Sequence, residues 1–169
     1  MNYIFLDIDG VLNSKDFVLE RIDDDSSLDE SRVKLLSELV KETDAKIILS
    51  SSWRIRFTES GNIRNTDSED AKELVRLFKK YGISIYGKTK DYRNSHGDYF
   101  DIGERYTEIK EYIENNLTDD DNFVIFDDET FRGSLLNFNE HFILTDWFVR
   151  GLDETNIKEA KNVLQKTRG

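Results

Sequence analysis

The sequence predicts an α/β fold with a sheet of about five mostly parallel strands and helices on both faces of that sheet. Two observations support this prediction. Short runs such as Ile47-Ile48-Leu49 are apolar at every position, as strands of a parallel sheet are when both of their faces are buried. Between these runs lie segments whose apolar residues recur at helical spacing, and this alternation is typical of parallel sheets with right-handed crossovers.

The predicted strands share a short length and a content of β-branched or aromatic residues; they cover residues 3–6, 45–49, 83–86, 122–126 and 141–144. Helices are predicted over about 29–43, 68–81 and 105–116, with a closing helix that includes 157–164. Asp29 is a suitable N-cap for the first helix, and Gly82 supplies a left-handed residue after the second.

The remaining segments have no regular apolar period. Residues 13–28 contain the acidic run Asp23-Asp24-Asp25 and are interpreted as an exposed loop or a small flap. Residues 51–66 are expected to be irregular, and residues 87–103 to form a loop. No repeat, low-complexity tract or linker divides the chain, so residues 1–169 are predicted to form a single domain.

The composition excludes several classes of protein. The chain has 169 residues, of which 37% are hydrophobic, and its eleven Phe and seven Tyr are enough for a folded core. It has no Cys, which excludes disulfide scaffolds, thiolate zinc sites and cysteine nucleophiles. No apolar stretch reaches the roughly 20 residues of a membrane-spanning helix, and the N-terminus lacks the basic region of a signal peptide. We therefore expect a cytoplasmic protein without a membrane partner.

The chain is strongly acidic, with 24 Lys and Arg against 35 Asp and Glu and a formal net charge of −11. This balance argues against indiscriminate binding to nucleic acid, because phosphate backbones are held mainly by cationic side chains. It leaves room for a local basic patch. The excess of carboxylates also favours a divalent cation somewhere in the protein.

Polar residues collect where three predicted strands end; they are Asp7 and Asp9, Ser50 and Ser51, and Asp127 and Asp128. Open parallel sheets bind ligands at the carboxyl ends of their strands, so these side chains are expected along one edge. Taken alone, a serine or an acid pair after a strand is most often a turn or cap residue. Four carboxylates on one rim, however, repel each other by roughly 4 kcal/mol for a pair 4 Å apart. An all-oxygen set favours Mg²⁺ over zinc as the ion that relieves this repulsion.

The spacing Asp7-Ile8-Asp9 is informative in itself. Residues two apart on an extended chain share a face, so both acids can reach one ligand, and Gly10 allows the backbone to turn sharply after them. Two acids presented in this way can divide the work, one attacking as a nucleophile and the other transferring protons.

Residues 5–12, Phe-Leu-Asp-Ile-Asp-Gly-Val-Leu, resemble the first motif of the haloacid dehalogenase (HAD) superfamily of phosphatases. The resemblance extends to residues 47–50, a strand that ends in Ser, and to residues 124–128, a strand that ends in an acid pair. Arg105 is the candidate for the third motif, a basic residue at a helix start. A closer likeness is to the small HAD-like domains of RNA-repair-associated proteins, through residues 4–14, 50–54 and 87–89. The implied fold is a Rossmann-like HAD core.

This resemblance implies a two-step phosphoryl transfer. Asp7 would attack phosphorus and form an aspartyl-phosphate, and Asp9 would protonate the leaving oxygen and then activate water. The metal would be Mg²⁺, held by the Asp7 carboxylate, the Asp9 backbone carbonyl and either Asp127 or Asp128. Ser50 would donate a hydrogen bond to a phosphoryl oxygen, and Arg105 would neutralise phosphate charge.

Fewer than twenty residues separate Asp9 from the helix near Asp29, too few for a folded cap domain. The expected enzyme therefore has a minimal cap or none, and an open site for a phosphorylated nucleic-acid end. Basic residues in the loops after the second and third strands support this weakly; they are Arg54, Arg56, Arg64, Lys88, Lys90 and Arg93, with His96 nearby. The predicted substrate-binding residues are Gly10, Ser51, Trp53, Arg54 and Lys88.

Aromatic residues of the same loops have two interpretations. Trp53, Tyr92 and Tyr99 either stack on bases or are partly buried anchors, which is the commoner role of such side chains.

Three other functions of the protein stay open. A phosphatase of small metabolites, such as nucleotides or sugar phosphates, would share every catalytic residue. The others are a binding module on an inactive scaffold and a phospho-accepting receiver domain, which the separation of Asp7 and Asp9 disfavours.

Overall fold

Five parallel strands form one sheet in the computed structural model, which describes residues 1–21, 26–64, 68–92, 104–131 and 133–166. The strands are β1 (Asn2–Leu6), β2 (Ala45–Leu49), β3 (Ile85–Lys88), β4 (Asn122–Asp127) and β5 (Phe142–Leu144). Their order across the sheet is β3-β2-β1-β4-β5, so β1 lies at the centre and the chain order reverses beside it. This arrangement confirms the predicted α/β class and the Rossmann-like parallel sheet.

Five α-helices surround the sheet; they are α1 (Lys15–Glu20), α2 (Glu30–Thr43), α3 (Glu69–Lys80), α4 (Glu104–Asn116) and α5 (Glu154–Leu164). Side chains cap them as the sequence indicates. Asp29 accepts a hydrogen bond from the Ser31 backbone at the start of α2. Asp153 and Asn156 form a reciprocal capping box at the start of α5, which satisfies donors that the first helical turn leaves free.

The two faces of the sheet carry separate apolar clusters. Alternate residues of β1 point to opposite sides, so Ile4 and Leu6 belong to the cluster under α2, α3 and α5. Tyr3 and Phe5 belong to the other cluster, which packs against Ile109 of α4. Burial of the central strand on both sides explains why its sequence is apolar at every position. Helices on both faces are as predicted.

Three local features differ from the sequence-based expectation. Strand β3 begins at Ile85 rather than at Ile83, because Gly82 has a φ of +70° and the Ile83 N–H donates to the Phe78 carbonyl. Ile83 therefore completes the end of α3. Residues 13–28 contain the helix α1, which has no buried residue and so lacks an apolar period. Two short 3-10 helices, Ser52–Arg56 and Leu135–His141, were also not predicted.

Within the described ranges, no folded cap domain covers the carboxyl ends of the strands, since α1 is the single helix between β1 and α2. None of the helices that the structure describes combines the length and the apolar content needed to cross a bilayer.

Candidate active site

The register of the sheet aligns the ends of its three central strands. Leu6 of β1 pairs with Leu49 of β2 and with Phe126 of β4. The next residue along each strand is therefore at the same level. These three residues are Asp7, Ser50 and Asp127. Backbone hydrogen bonds extend the alignment, because the N–H of Asp7 donates to Phe126 and the N–H of Ser50 donates to Leu6. These polar residues therefore lie at the carboxyl ends of the strands, along one edge of the sheet, as expected from the sequence.

Three carboxylates meet at this edge of the sheet, and we call them the acid cluster: Asp7, Asp127 and Asp128. Each offers one carboxylate oxygen, and these oxygens all lie within 4.8 Å of one another. Asp7 and Asp127 are buried and Asp128 is partly buried. Three hard oxygen donors held so closely, in excess of the positive charge around them, are the donor set that a small divalent cation prefers. The residues present thus fit a bound Mg²⁺.

Arg105, at the start of α4, projects into the acid cluster. Its Nη1 atom lies 2.7 Å from Asp127 Oδ2 and 3.4 Å from Asp7 Oδ1. A cation at the N-terminus of a helix is disfavoured by the helix dipole, and the two carboxylates offset that cost here. One guanidinium cannot balance three carboxylates, so the cluster retains negative charge.

Burial and the surrounding negative charge both raise the pKa values of the partners of Asp7 in this cluster. Burial raises the pKa of Asp127 well above its ordinary value, and Asp7 adds to the effect while Arg105 opposes it. Burial likewise raises the pKa of Asp128 to about 7, with repulsion from Asp7 and Glu129 as further causes. The raised pKa values mean that protons bind Asp127 and Asp128 more readily than they bind free carboxylates, and a divalent cation would compete with those protons.

A pH-dependent response to Mg²⁺ follows from the raised pKa of Asp128, about 7 in the folded protein. Below pH 7 the cation competes with a proton, so Mg²⁺ affinity should fall about tenfold per pH unit for each proton displaced. We expect Mg²⁺ to raise the melting temperature clearly at pH 8 and little at pH 5.5, as measured by thermal denaturation.

The metal-free protein should show the opposite trend in stability. Because the folded-state pKa of Asp128 lies above its unfolded value, the stabilisation from its proton is complete below about pH 4 and is lost as the pH rises through 7. Asp128→Asn should flatten this dependence in EDTA. A Mg²⁺-induced shift of equal size at pH 5.5 and pH 8 would contradict the proton-competition account.

Gly10 permits the close approach of Asp128 to the first motif. Its φ is +77°, and a Cβ at this position would overlap the carboxyl group of Asp128. The backbone there is fixed from both sides, because Thr145 Oγ1 donates to the Gly10 carbonyl over 2.7 Å. Asn13 accepts a hydrogen bond from the Gly10 N–H. Gly10 therefore shapes the acid cluster, whatever its contact with a substrate.

Asp9 is exposed, yet its carboxylate is held from two sides. The indole N–H of Trp53 donates to Asp9 Oδ2 over 2.9 Å. The side-chain amide of Asn13 donates to Asp9 Oδ1 over 3.0 Å. Both contacts fix the direction of the carboxylate while it remains open to solvent, which suits a group that exchanges protons with water.

Two buried hydroxyls lie at the ends of neighbouring strands. Ser50 follows β2 and Thr89 follows β3, and the Thr89 N–H donates to the Leu49 carbonyl. Both residues are fully buried. Among the residues that the structure describes, neither Ser50 Oγ nor Thr89 Oγ1 has a hydrogen-bond partner. An unsatisfied buried hydroxyl costs stability, and at Ser50 a phosphoryl oxygen would remove that cost.

An open pocket of about 310 Å³ lies over the acid cluster. This volume is at the lower end of the range of about 300–1,000 Å³ that is usual for small-molecule sites. Its lining includes three of the four predicted catalytic residues but not Ser50, and consists of Asp7, Asp9, Ser52, Arg105, Asp128, Glu129, Phe131 and Trp147.

Comparison with known protein families agrees with this geometry. The family described as the HAD domain in Swiss Army Knife RNA repair proteins matches residues 3–157, which include every element from β1 to the start of α5. The chain belongs to this family. No curated protein and no solved structure matches the chain significantly.

The structure of this HAD domain brings together Asp7, Asp9, Arg105 and Asp128 around one pocket, with Asp127 in the same cluster. Other predicted substrate-binding residues contact the protein itself. Ser51 is buried and accepts a hydrogen bond from the Trp53 backbone. Trp53 is only 6% exposed and carries the Arg56 guanidinium over its ring. A role of these residues in substrate binding stays a prediction.

Arg54 and Lys88, also predicted to bind substrate, are engaged by backbone carbonyls. Arg54 donates to the carbonyls of Ser50 and Ser51 and to Glu108 of α4. Lys88 donates to the Phe57 carbonyl over 2.9 Å and pairs with Glu59. Neither side chain lines the pocket over the acid cluster. Their substrate contacts therefore remain a prediction without geometric support.

Most of the basic residues that the structure describes in the loops after β2 and β3 are paired within the protein. Lys90 pairs with Glu111, and Arg56 lies 3.7 Å from Asp70, whereas Arg64 is exposed. The other basic and aromatic residues expected in these loops, Arg93, His96 and Tyr99, lie outside the described residues.

Several residues of the site were not predicted as such. Asn13 orients Asp9, and Ser52, Glu129, Phe131 and Trp147 line the pocket. Residues 10–14 and 50–54 were already part of the recognised motifs, so Asn13 and Ser52 could have been found there. Trp147 follows the last strand, β5, and the rule that ligands bind at strand ends would have pointed to it.

Proposed function

We propose that this HAD domain is a Mg²⁺-dependent phosphomonoester hydrolase that acts through an aspartyl-phosphate on Asp7. The observation that carries the proposal is the acid cluster with Arg105 at the carboxyl edge of the sheet, beside the unpartnered hydroxyl of Ser50. An anionic nucleophile, a cationic side chain and a cation-binding set at one open pocket, with a hydrogen-bond donor at the end of the neighbouring strand, are the parts that phosphoryl transfer requires.

The metal ligands would be the Asp7 carboxylate, the Asp9 backbone carbonyl and a carboxylate of Asp127 or Asp128. When bound, Mg²⁺ would supply charge that lowers the repulsion between the Asp7 carboxylate and an anionic phosphate. The raised pKa values of Asp127 and Asp128 support this assignment, because burial of so much carboxylate is unfavourable without a counter-charge.

In the first step, a carboxylate oxygen of Asp7 attacks phosphorus, and the bond from phosphorus to the ester oxygen breaks. Asp9 gives its proton to that leaving oxygen. In the second step, Asp9 takes a proton from water, the hydroxide formed attacks the same phosphorus, and the Asp7 carboxylate is released with inorganic phosphate. The hydrogen bonds from Trp53 and Asn13 to Asp9 support this role, because they fix the carboxylate beside Asp7.

Arg105 and Ser50 would stabilise the transferring phosphoryl group. Arg105 Nη1 already lies within 3.4 Å of Asp7, so phosphate bound against Asp7 would meet the guanidinium. A charge-assisted hydrogen bond of this kind stabilises phosphoryl oxygens more strongly than a neutral donor does. Ser50 would supply a neutral donor from the neighbouring strand.

For the substrate, we propose a phosphate at a nucleic-acid end. The description of the family as a domain of RNA repair proteins supports this choice, and so does the open pocket, which leaves space for a polymer to extend outward. A cytoplasmic location is part of the same proposal.

The test is phosphate release from four substrates, namely 3′- and 5′-phosphorylated oligonucleotides, a mononucleotide and a sugar phosphate, with Mg²⁺ or with EDTA. We expect Mg²⁺-dependent release, fastest from one of the oligonucleotides. Preference for the mononucleotide or the sugar phosphate would instead identify a metabolite phosphatase. No release from any of them with Mg²⁺ would contradict the proposed hydrolase and favour a non-catalytic binding module.

A further inference from the structure

The pocket over the acid cluster has two aromatic side chains in an otherwise polar lining. Phe131 lies in the loop after β4, and Trp147 lies in the loop after β5. Both rings are partly buried. They line the same pocket as Asp7, Arg105 and Asp128, so a substrate whose phosphate lay against Asp7 would have its neighbouring group within reach of these rings.

The loop that carries Trp147 is fixed to the first motif. The Trp147 carbonyl accepts a hydrogen bond from the Lys15 N–H over 2.7 Å, and the Leu152 N–H donates to the Val11 carbonyl. Asp146 and Gly151 close the loop through an antiparallel bridge. A half-buried indole on such a braced loop is already ordered, so stacking on it costs little conformational entropy.

The position of Phe131 is set by its backbone conformation and by a contact with Arg105. Its φ of +46° is in the left-handed region, which is unfavourable for a bulky residue. The ring lies 4.7 Å from the Arg105 guanidinium, and Arg105 is bonded to Asp127. Phe131 is thereby tied to the acid cluster itself.

Two of the three aromatic residues that the sequence offered for base stacking are engaged elsewhere, and the third, Tyr99, lies outside the described residues. Trp53 is buried and donates to Asp9, and the Tyr92 hydroxyl bonds Glu111. Trp147 and Phe131, in contrast, line the pocket with part of their rings exposed.

We propose that Trp147 and Phe131 form a subsite for the nucleobase of the nucleotide that bears the phosphate; this inference rests on the phosphatase function proposed above. A nucleobase is planar and neutral, so it stacks on aromatic rings without repulsion from the carboxylates nearby. An acidic peptide would meet that repulsion from Glu129 and the acid cluster. The shared chemistry is a base one sugar away from the phosphate, in a free mononucleotide or at an oligonucleotide end.

The test compares wild type, Trp147→Ala, Trp147→Phe and Phe148→Ala as a matched control, since Phe148 is the 65% exposed neighbour. Each is assayed on a mononucleotide, a phosphorylated oligonucleotide and ribose 5-phosphate, which has no base. Trp147→Ala should lower kcat/KM on the base-bearing substrates about 10- to 100-fold, mainly through KM. Ribose 5-phosphate should be turned over as in wild type. Trp147→Phe should restore most of the loss, and Phe148→Ala should have no effect.

Comparison of the mononucleotide with the oligonucleotide identifies the source of the base. An equal loss on ribose 5-phosphate would overturn the subsite, because it would show a structural role of Trp147. A binding measurement separates this inference from the phosphatase function. The chain has two tryptophans, and a mononucleotide should quench the fluorescence of wild type but not of Trp147→Phe, even if no phosphate is released. Absence of quenching in wild type would overturn the subsite alone.

Discussion

Replacement of Asp7 by Asn is expected to lower Mg²⁺-dependent phosphate release by about 10⁴-fold or more, as the loss of a covalent nucleophile does in other hydrolases. The amide has nearly the same shape as the carboxylate but lacks the negative charge and the nucleophilic oxygen. The measurement is the initial rate on the best substrate of the screen, at saturating Mg²⁺.

The fold should survive this change, which makes the loss of activity interpretable. Asp7→Asn removes one of three repelling carboxylates, and Arg105 keeps its 2.7 Å contact with Asp127. We expect the metal-free melting temperature to stay level or to rise. Asp120→Asn is the matched control, because Asp120 is exposed and precedes β4 at the opposite edge of the sheet. Activity of Asp7→Asn within tenfold of wild type would contradict the assigned nucleophile.

Truncation of the Glu108 side chain in Glu108→Ala is expected to lower the free energy of unfolding by about 3–5 kcal/mol. Arg54 Nη2 lies 2.7 Å from both carboxylate oxygens of Glu108, and the two side chains are 2% and 1% exposed. Burial raises the pKa of Glu108, and Arg54 opposes that rise. Glu108→Ala would leave a guanidinium buried without its main partner.

The pair also joins two parts of the active site. Arg54 holds the carbonyls of Ser50 and Ser51, while Glu108 lies one helical turn after Arg105. Urea denaturation of Glu108→Ala, Arg54→Met and the double variant Arg54→Met/Glu108→Leu measures the coupling. The double variant should recover much of the stability, because a buried pair is replaced by apolar groups.

The exposed pair Lys110–Glu114 supplies the control for this experiment. Exposed i,i+4 pairs contribute about 0.3–0.5 kcal/mol, so Glu114→Ala should change stability little. A similarly small effect of Glu108→Ala would show that Arg54 does not depend on it.

The sequence predicted the acid cluster because its members are fixed by buried strands. Leu6, Leu49 and Phe126 are the last apolar residues of their strands and share one register. Parallel strands that end together bring the following residues together. The positions of Asp7, Ser50 and Asp127 thus depend on local pattern and on one topological rule.

The remaining features depend on contacts between residues far apart in the chain. The sequence around Arg54 indicates only a basic loop, because its partner Glu108 is 54 residues away in the chain. The sequence indicates only that Trp147 is an aromatic residue after a strand. Its position at the pocket depends on the hydrogen bond from the Lys15 N–H to the Trp147 carbonyl and on the one from the Leu152 N–H to the Val11 carbonyl. Local periodicity does not reveal such pairings, so the Glu108 partner of Arg54 and the contacts that hold the Trp147 loop could not be predicted, although the rule that ligands bind at strand ends points to the loop itself.

The covalent intermediate on Asp7 is the central claim, and direct labelling tests it. The Asp9→Asn variant is mixed with an aryl phosphate that carries a radioactive phosphoryl group and then quenched in acid. The aryl leaving group needs little protonation, so the first step proceeds, whereas breakdown lacks its base. We predict about one label per chain, labile to hydroxylamine and located on the peptide that contains Asp7. Product formation without label, or label on another residue, would contradict the mechanism.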